Sequence, residues 1–547
     1  MNLDSRPQDA VDLLGRVVRS CRRRRRAWKI ADSTGAELSG VEVLARALVL
    51  RRLLRRLVLE ADEQYVAVLL PPTAAAAVVN LALALDRRTI VNLNYSLSPD
   101  LLNACIAQAG VRHVVTSRKF VERLGVCPGA EMVYLEDLRA APTLLDKMIA
   151  AVQAAALPAG LLLRMLELHR VGADDVMSVL FTSGSTGEPK GVMLTYANVA
   201  HNVTAAEAVI CLRSSDVLIG VLPFFHAFGA TVTLWTVLAT NVAAAYHTNP
   251  LEARVIGRLC RERRGTILLA TPSFLRSYLK RCPAEDLASL EVIATGAEKL
   301  SGALSDTCEA TLGIRPVEGY GATETAPMVA ANVPPSRALG DPAISAREGM
   351  VGRPVPGVRV KVVDTETGAE VGPGQPGILW VTGPNVMKGY LNRPEATADV
   401  LREGWYVTGD VVIVDDDGFI RIVGRASRFA KIGGEMVPFA RVEEALAELL
   451  GTDDEGGPLA VVTAVPDPVA GERLVVVHAP LPCTPAEVCR GLAAAGLPQL
   501  FLPSPADFCE VDRLPTVGIG KVDLRRVDEM ARTMARPRGR ETASVLR

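Results

Sequence analysis

The sequence predicts an α/β protein: a large N-terminal domain of doubly wound sheets that includes a small β-barrel-like subdomain, then a small α+β C-terminal domain. Three observations lead there. The chain has 547 residues, 49% of them hydrophobic, which is too much for one ordinary core, so at least two domains are expected. From Val66 to about Val199, short apolar strand-like runs alternate with helical stretches, the rhythm of a sheet with helices on both faces. From 352 to 424 strands shorten, and glycine and proline crowd in at Gly352-Arg353-Pro354, Gly357, Gly372-Pro373-Gly374 and Gly377, as in a barrel of hairpins. The large domain is placed at 1–424, its β-rich part at about 350–424, and the C-terminal domain at 425–547.

Composition narrows the function classes. A formal net charge of −1 gives no support for bulk nucleic-acid binding. The ten cysteines contain no C-x2-C pair, and the closest two, Cys483 and Cys489, are six apart, which argues against zinc or thioredoxin-like chemistry. Scattered single thiols fit a reducing compartment. The first residues are mixed and carry Asp4, Asp9 and Asp12, unlike a secretory signal, so a cytoplasmic protein is expected.

Residues 1–60 are basic. Arg22 to Arg26 form an unbroken run, and Arg51, Arg52, Arg55 and Arg56 recur at helical spacing beside Leu53, Leu54, Leu57 and Val58. Two readings stand: a solvated helix face on the large domain, or an interfacial helix in peripheral contact with anionic lipid at the inner face of the membrane. Tyr65 to Leu85 is long enough to span a bilayer, but Pro71-Pro72 split it into a strand and an alanine-rich helix. Strands follow at 89–95 and 113–117, and residues 142–168 read as an apolar helix broken at Pro158-Ala159-Gly160.

The stretch Val179 to Val199 carries the chemistry. Apolar Val179-Leu180-Phe181 turns abruptly into Thr182, Ser183, Gly184, Ser185, Thr186 and Gly187, then Pro189-Lys190-Gly191. Glycines let backbone N–H groups approach an anion, hydroxyls add donors, and Lys190 adds positive charge. Composition alone favours an ordinary surface loop. It is not a Walker A loop, because Gly191 follows the lysine.

Further on, the strand at 217–223 ends in Phe224-Phe225-His226-Ala227-Phe228-Gly229, and the strand at 266–272 leads into a helix. EVIATGAEKL (291–300) and EGYGATETAP (318–327) follow. Tyr320 offers a ring that can stack on a base, Thr323 a hydroxyl, and Glu324 a hard oxygen suited to Mg²⁺. Tyr406 to Asp410 puts a carboxylate on a turn, where it can accept two ribose hydroxyls. A hairpin at 411–425 turns at Asp417-Gly418. Ala430-Lys431-Ile432-Gly433-Gly434-Glu435, a helix at 440–450, strands at 459–467 and 473–480, and Pro515 to Lys521 complete the chain.

In their order, the motifs at 180–192, 318–327, 406–411, 424–435 and 515–521 resemble those of the adenylate-forming superfamily. Within it, GAEKL, EGYGATETAP, RFAKIGGEMV and PTVGIGKVD are similar to the synthetase half of acyl-ACP synthetase/2-acylglycerophosphoethanolamine acyltransferases, close to long-chain fatty acyl-CoA synthetases. The resemblance implies activation of a fatty acid by ATP and Mg²⁺ to acyl-AMP, with pyrophosphate released. Transfer to the pantetheine thiol of acyl carrier protein follows, or, in the alternative, to coenzyme A. It implies that Thr182, Ser183, Gly184, Ser185, Thr186, Gly187 and Lys190 hold phosphates. Gly296, Ala297, Glu298, Glu318, Gly319, Tyr320, Gly321 and Thr323 would line the adenosine side, with Glu324 the metal ligand, Asp410 and Arg425 at the ribose, His226 at the acyl gate and Lys521 the catalytic lysine. Arg428, Lys431, Gly433, Gly434 and Glu435 would meet the acceptor once a mobile C-terminal domain has rotated. The hinge position, usually Asp or Lys, is Ser427 here. An aryl- or amino-acid-activating enzyme differs only in its pocket lining. A catalytically idle binder is the remaining class, and the intact Lys521, Glu324 and Asp410 argue against it.

Overall fold

The computed structural model describes residues 12–126, 128–183, 188–338, 345–433, 435–451, 457–517 and 521–535. They form two compact units. The first runs to Val360 and includes Trp380–Val407 and Asp417–Ile420; the second holds Lys361–Leu379, Thr408–Asp416 and the residues from Arg421 on.

The first unit is built on two mixed sheets. In the nine-stranded sheet, Trp28–Asp32, Ala243–Tyr246, Val217–Gly220, Ile267–Ala270, Val292–Thr295 and Val317–Gly321 run parallel to their neighbours. Antiparallel pairing begins at both ends of this parallel run: Glu37–Ser39 on Trp28–Asp32 at one, and Met328–Ala331, which folds back on Val317–Gly321, at the other. In the seven-stranded sheet, Glu131–Tyr134, His113–Thr116, Tyr65–Leu69, Thr89–Asn92 and Val176–Ser183 are parallel. There too the last step is an antiparallel hairpin, Val176–Ser183 with Pro189–Thr195, to which Gly389–Tyr390 adds an edge strand. The central strands are buried and largely apolar because helices cover both faces. The expected βα unit is present as Tyr65–Leu69 and the helix Ala74–Leu85.

The β-rich region gives a five-stranded sheet, ordered Arg359–Val363, Pro376–Thr382, Trp405–Val414 and Leu401–Arg402, with Ile420–Arg425 also on Trp405–Val414. In the second unit, strands 460–467 and 471–478 alternate their side chains between two small cores. Val462, Leu474 and Val476 pack with Val442 and Leu446 on one face, and Val461, Val475 and Val477 with Val527 and Ala531 on the other.

Part of the basic N-terminal region is engaged by the fold, while Arg23, Arg25 and Arg26 stay exposed. On the helix Gly40–Leu57, Arg51 and Arg55 pair with the buried Asp86, while Arg52 and Arg56 pair with the buried Asp146. Arg22 donates to the carbonyls of Gln153 and Ala154, and Arg24 to those of Trp28, Ser214 and Asn241. A carboxylate as buried as Asp146 needs such partners, since one unpaired buried charge is strongly destabilising.

Candidate active site

Each of the two core motifs occupies a hairpin where a parallel sheet turns antiparallel. Thr182 faces Lys190 across the first hairpin, and Ser183 faces Pro189. Gly184, Ser185, Thr186 and Gly187 lie in the connection, outside the described residues. Gly191 has a steric reason: a Cβ there would stand 3.0 Å from Val179 Cγ1 and 3.1 Å from the Phe181 ring. The second hairpin turns through Thr323–Thr325, so Glu324 sits at its tip. There a Cβ on Gly321 would clash with the Pro327 carbonyl at 1.9 Å.

Residues 384–391 join the two hairpins. The Tyr390 hydroxyl donates to Glu324 Oε1 at 2.7 Å, and Lys190 Nζ lies 5.3 Å from the centre of the Tyr390 ring. Burial, then the neighbouring Glu324 carboxylate, pushes the Tyr390 phenol upward, so it stays a donor. The Met387 N–H donates to the Glu324 carbonyl, and the Lys388 and Leu391 N–H groups to the carbonyls of Met193 and Gly191. Two buried asparagines of the helix Tyr196–Ile210 complete the frame. Asn198 donates to the carbonyls of Pro384 and Val386, and Asn202 to that of Thr325 while accepting from the Met328 N–H. Sequence reading missed Tyr390, Asn198 and Asn202; Gly389-Tyr390 beside the apolar Leu391 was their one local signal.

On the side expected to meet adenosine, a Cβ on Gly296 would stand 3.3 Å from the Gly319 carbonyl and 3.5 Å from the Phe228 ring, and Ala297 holds a left-handed φ of +69°. A left-handed alanine costs about 1–2 kcal/mol and marks a backbone held by its surroundings. Glu298 accepts from the N–H and hydroxyl of Ser273, which ties it to the start of the helix Pro272–Arg281. Buried Glu318 accepts from the Leu300 N–H at 2.9 Å and so clamps the 296–300 loop. Tyr320 and Gly319 lie on the strand Val317–Gly321, and Thr323 opens the turn that carries Glu324.

Burial lifts the Glu318 carboxyl to about 7. Between about pH 4.5 and 7 the folded state therefore binds more protons than the unfolded one, and stability falls as pH rises through that window. Glu318→Gln removes this cost. Denaturant melts should show the variant gaining over wild type from near zero at pH 4.5 to roughly 3 kcal/mol at pH 8. A difference that does not vary with pH would show that Glu318 does not titrate this way.

His226 is exposed, its ring 4.5 Å from that of Phe225, just before a helix of π type, Phe228–Trp235. Such turns are rare and recur at functional sites. Tyr95 meets Phe225 edge-on at 4.7 Å, and its buried hydroxyl has no hydrogen-bond partner among the described residues.

In the second unit, Asp410 differs from the turn position expected for it. It lies inside the strand Trp405–Val414, 4% exposed, after Gly409 at φ +73°. Its Oδ1 is 2.9 Å from Arg425 Nε, so the two residues expected at the ribose are brought together. Arg428 is redirected: its guanidinium pairs with Glu443, donates to the Val462 carbonyl and stacks on Phe439. That engages its charge within the second unit. Lys431 and Glu435 are exposed, and Gly433 takes a φ of +59° after the strand Phe429–Ile432; Gly434 lies outside the described residues. Lys521 opens the two-residue strand Lys521–Val522, paired with Thr516–Val517.

Among the described residues no group of three or more His, Cys, Asp or Glu could enclose a metal. A lone carboxylate at Glu324 still fits Mg²⁺, which is commonly held by one or two carboxylates together with phosphate oxygens and water.

A family model described as AMP-binding enzyme matches residues 17–391. A feruloyl-CoA synthase from an Amycolatopsis species is 33% identical over 356 residues, 64% of this chain and 69% of that protein. A long-chain-fatty-acid–CoA ligase of Bacillus subtilis is 31% identical over 374 residues, 67% of this chain and 64% of that protein. The crystal structure of ATP-bound MatB from Rhodopseudomonas palustris is similar at a TM-score of 0.77 and 26% identity, covering 95% of this chain and all of that one. With more than half of its length matched and its two mixed sheets in place, the chain belongs to the AMP-binding enzyme family.

Proposed function

We propose that the protein is an acid–thiol ligase that adenylates a long-chain fatty acid and passes the acyl group to coenzyme A. The observation that carries the adenylation step is the Lys190–Tyr390–Glu324 arrangement, which sets a cation and a metal-suited carboxylate on two hairpins joined by one strap.

A fatty acid is ionised at neutral pH and needs no general base. Its carboxylate oxygen attacks the α-phosphorus of ATP, and the bond to the bridging oxygen breaks to release pyrophosphate. The residues supply position and charge. Thr182 to Gly187 and Lys190 hold the departing phosphates, Tyr390 keeps Glu324 oriented, and Lys521 stabilises the charge developing between carboxylate and α-phosphate. Glu324 would hold Mg²⁺, which would supply charge neutralisation for the phosphates. Asp410 accepts the ribose hydroxyls, with Arg425 beside it. In the second half-reaction the thiol sulfur attacks the acyl carbonyl, AMP leaves, and the thiol proton passes to solvent.

Coenzyme A is preferred as acceptor because Arg428, which would have strengthened a carrier-protein surface, is spent on Glu443, and because the similar ligases carry coenzyme A in their names. Acyl carrier protein, the acceptor first expected from the sequence, becomes the second reading, favoured by the exposed Lys431 and Arg441. The test offers ATP, Mg²⁺ and palmitate, or ferulate in its place, with either acceptor at two salt concentrations. Palmitate with coenzyme A should give the highest kcat/KM. Faster turnover of carrier protein that falls with added salt would reverse the acceptor assignment, and a preference for ferulate would overturn the fatty-acid one.

A further inference from the structure

Thirteen large apolar side chains stand exposed among the described residues, and six of them fall between 144 and 165. The helix Leu144–Ala155 buries Asp146, Ala150, Gln153 and Ala154 on one side. The opposite side of a surface helix is normally polar. Here it carries Leu144, Leu145, Met148 and Val152, which are 80%, 63%, 65% and 58% exposed. Their spacing puts Leu144, Met148 and Val152 in one row. After three intervening residues the next helix begins, Ala159–Met165, with Leu161 and Met165 exposed one turn apart. Scattered exposed leucines need no explanation, but an apolar row on two successive helices does.

The exposed charges carried by the two helices themselves have one sign. The exposed charged residues of the two helices are Lys147 and Arg164; Asp146, the only acid there, is buried and paired with Arg52 and Arg56. At one end, Arg22 fastens the helix end through the Gln153 and Ala154 carbonyls, which brings the exposed Arg23, Arg25 and Arg26 alongside. At the other, Arg56 reaches Asp146 with about half its side chain still exposed.

We propose that this face docks the protein on an anionic lipid bilayer, with the apolar row inserted at the headgroup–acyl boundary and the basic rim against acidic headgroups. No helix among the described residues is long and apolar enough to cross a membrane, so the contact is at the surface. A second copy of the chain is the poorer occupant, because a two-fold contact would bring the same basic rim against itself.

The test is sedimentation of the full chain with vesicles of phosphatidylcholine alone or with 30% phosphatidylglycerol, at low and high salt. Wild type should pellet with the anionic vesicles and release with salt. Met148→Glu with Val152→Glu should weaken that binding at least tenfold with an unchanged melting curve, since neither side chain is in the core. Lys147→Glu with Arg164→Glu should abolish the preference for phosphatidylglycerol. Equal pelleting of wild type and Met148→Glu/Val152→Glu would overturn the proposal. So would a wild-type dimer that these substitutions dissolve without any vesicle binding, which would assign the face to self-association.

Discussion

Lys521→Ala lowers acyl-adenylate formation by roughly 10²–10³-fold, the usual loss when one preorganised charge at a reacting centre is removed. The fold should not notice. Lys521 takes part in its short ladder through backbone pairing with Val517, which alanine preserves. The loss belongs to one half-reaction. Supplied with ready-made acyl-AMP, the variant should still form thioester at a rate close to wild type, since that step expels AMP rather than pyrophosphate. Single-turnover assays of each half-reaction, with a melting curve, separate the outcomes. Adenylation at the wild-type rate would remove the lysine from the mechanism, and a lowered melt would make it structural.

Glu324→Gln is expected to be as damaging, with a different signature. The amide oxygen can still accept from the Tyr390 hydroxyl, so the frame between the hairpins survives while the negative charge is lost. Adenylation should fall about 10²-fold or more and need more Mg²⁺ for half-maximal rate. Tyr390→Phe makes the opposite separation, because the carboxylate keeps its charge and loses its orienting donor. A hydrogen bond to a charged group is worth about 1.5–3 kcal/mol, so the rate should drop roughly ten- to hundredfold with an unchanged Mg²⁺ requirement. If Glu324→Gln leaves the Mg²⁺ dependence as it was, the carboxylate is not the metal ligand.

What could be read from the sequence depended on how local its cause was. Lys190 and Glu324 sit in strings whose residue order, rather than composition, carries the resemblance to phosphate- and metal-holding motifs, and the alternation of strands and helices before Val199 became the parallel part of the seven-stranded sheet. Tyr390, Asn198 and Asn202 are single polar residues in ordinary surroundings. They matter because packing brings segments from 66 to 186 positions apart within hydrogen-bond distance, which no local pattern records. Asp410 was placed on a turn because its Thr-Gly-Asp string looks like one, yet the positive φ of Gly409 is absorbed inside a longer strand. The Arg51–Arg56 row showed its charge openly but not its partners. Asp86 and Asp146 lie on other elements, and only the fold reveals that the row is spent on them. Arg428 is the same case on a smaller scale, drawn to Glu443 fifteen residues on.

The edge strand Gly389–Tyr390 also sets a timetable for the nascent chain. Pro189–Thr195 has its other partner, Val176–Ser183, in hand as soon as the hairpin leaves the ribosome, but Tyr390 emerges about two hundred residues later. At 5–20 residues per second that delay is roughly 10–40 seconds. The early strands can assemble in the meantime, while the hairpin edge that will carry Lys190 waits with its outer backbone groups unpaired, a surface on which chains on one polysome can pair wrongly. The hairpin proposed to hold phosphates is thus among the last parts of the first unit to be completed, and until it is, a translating chain has much of its architecture and none of its proposed chemistry.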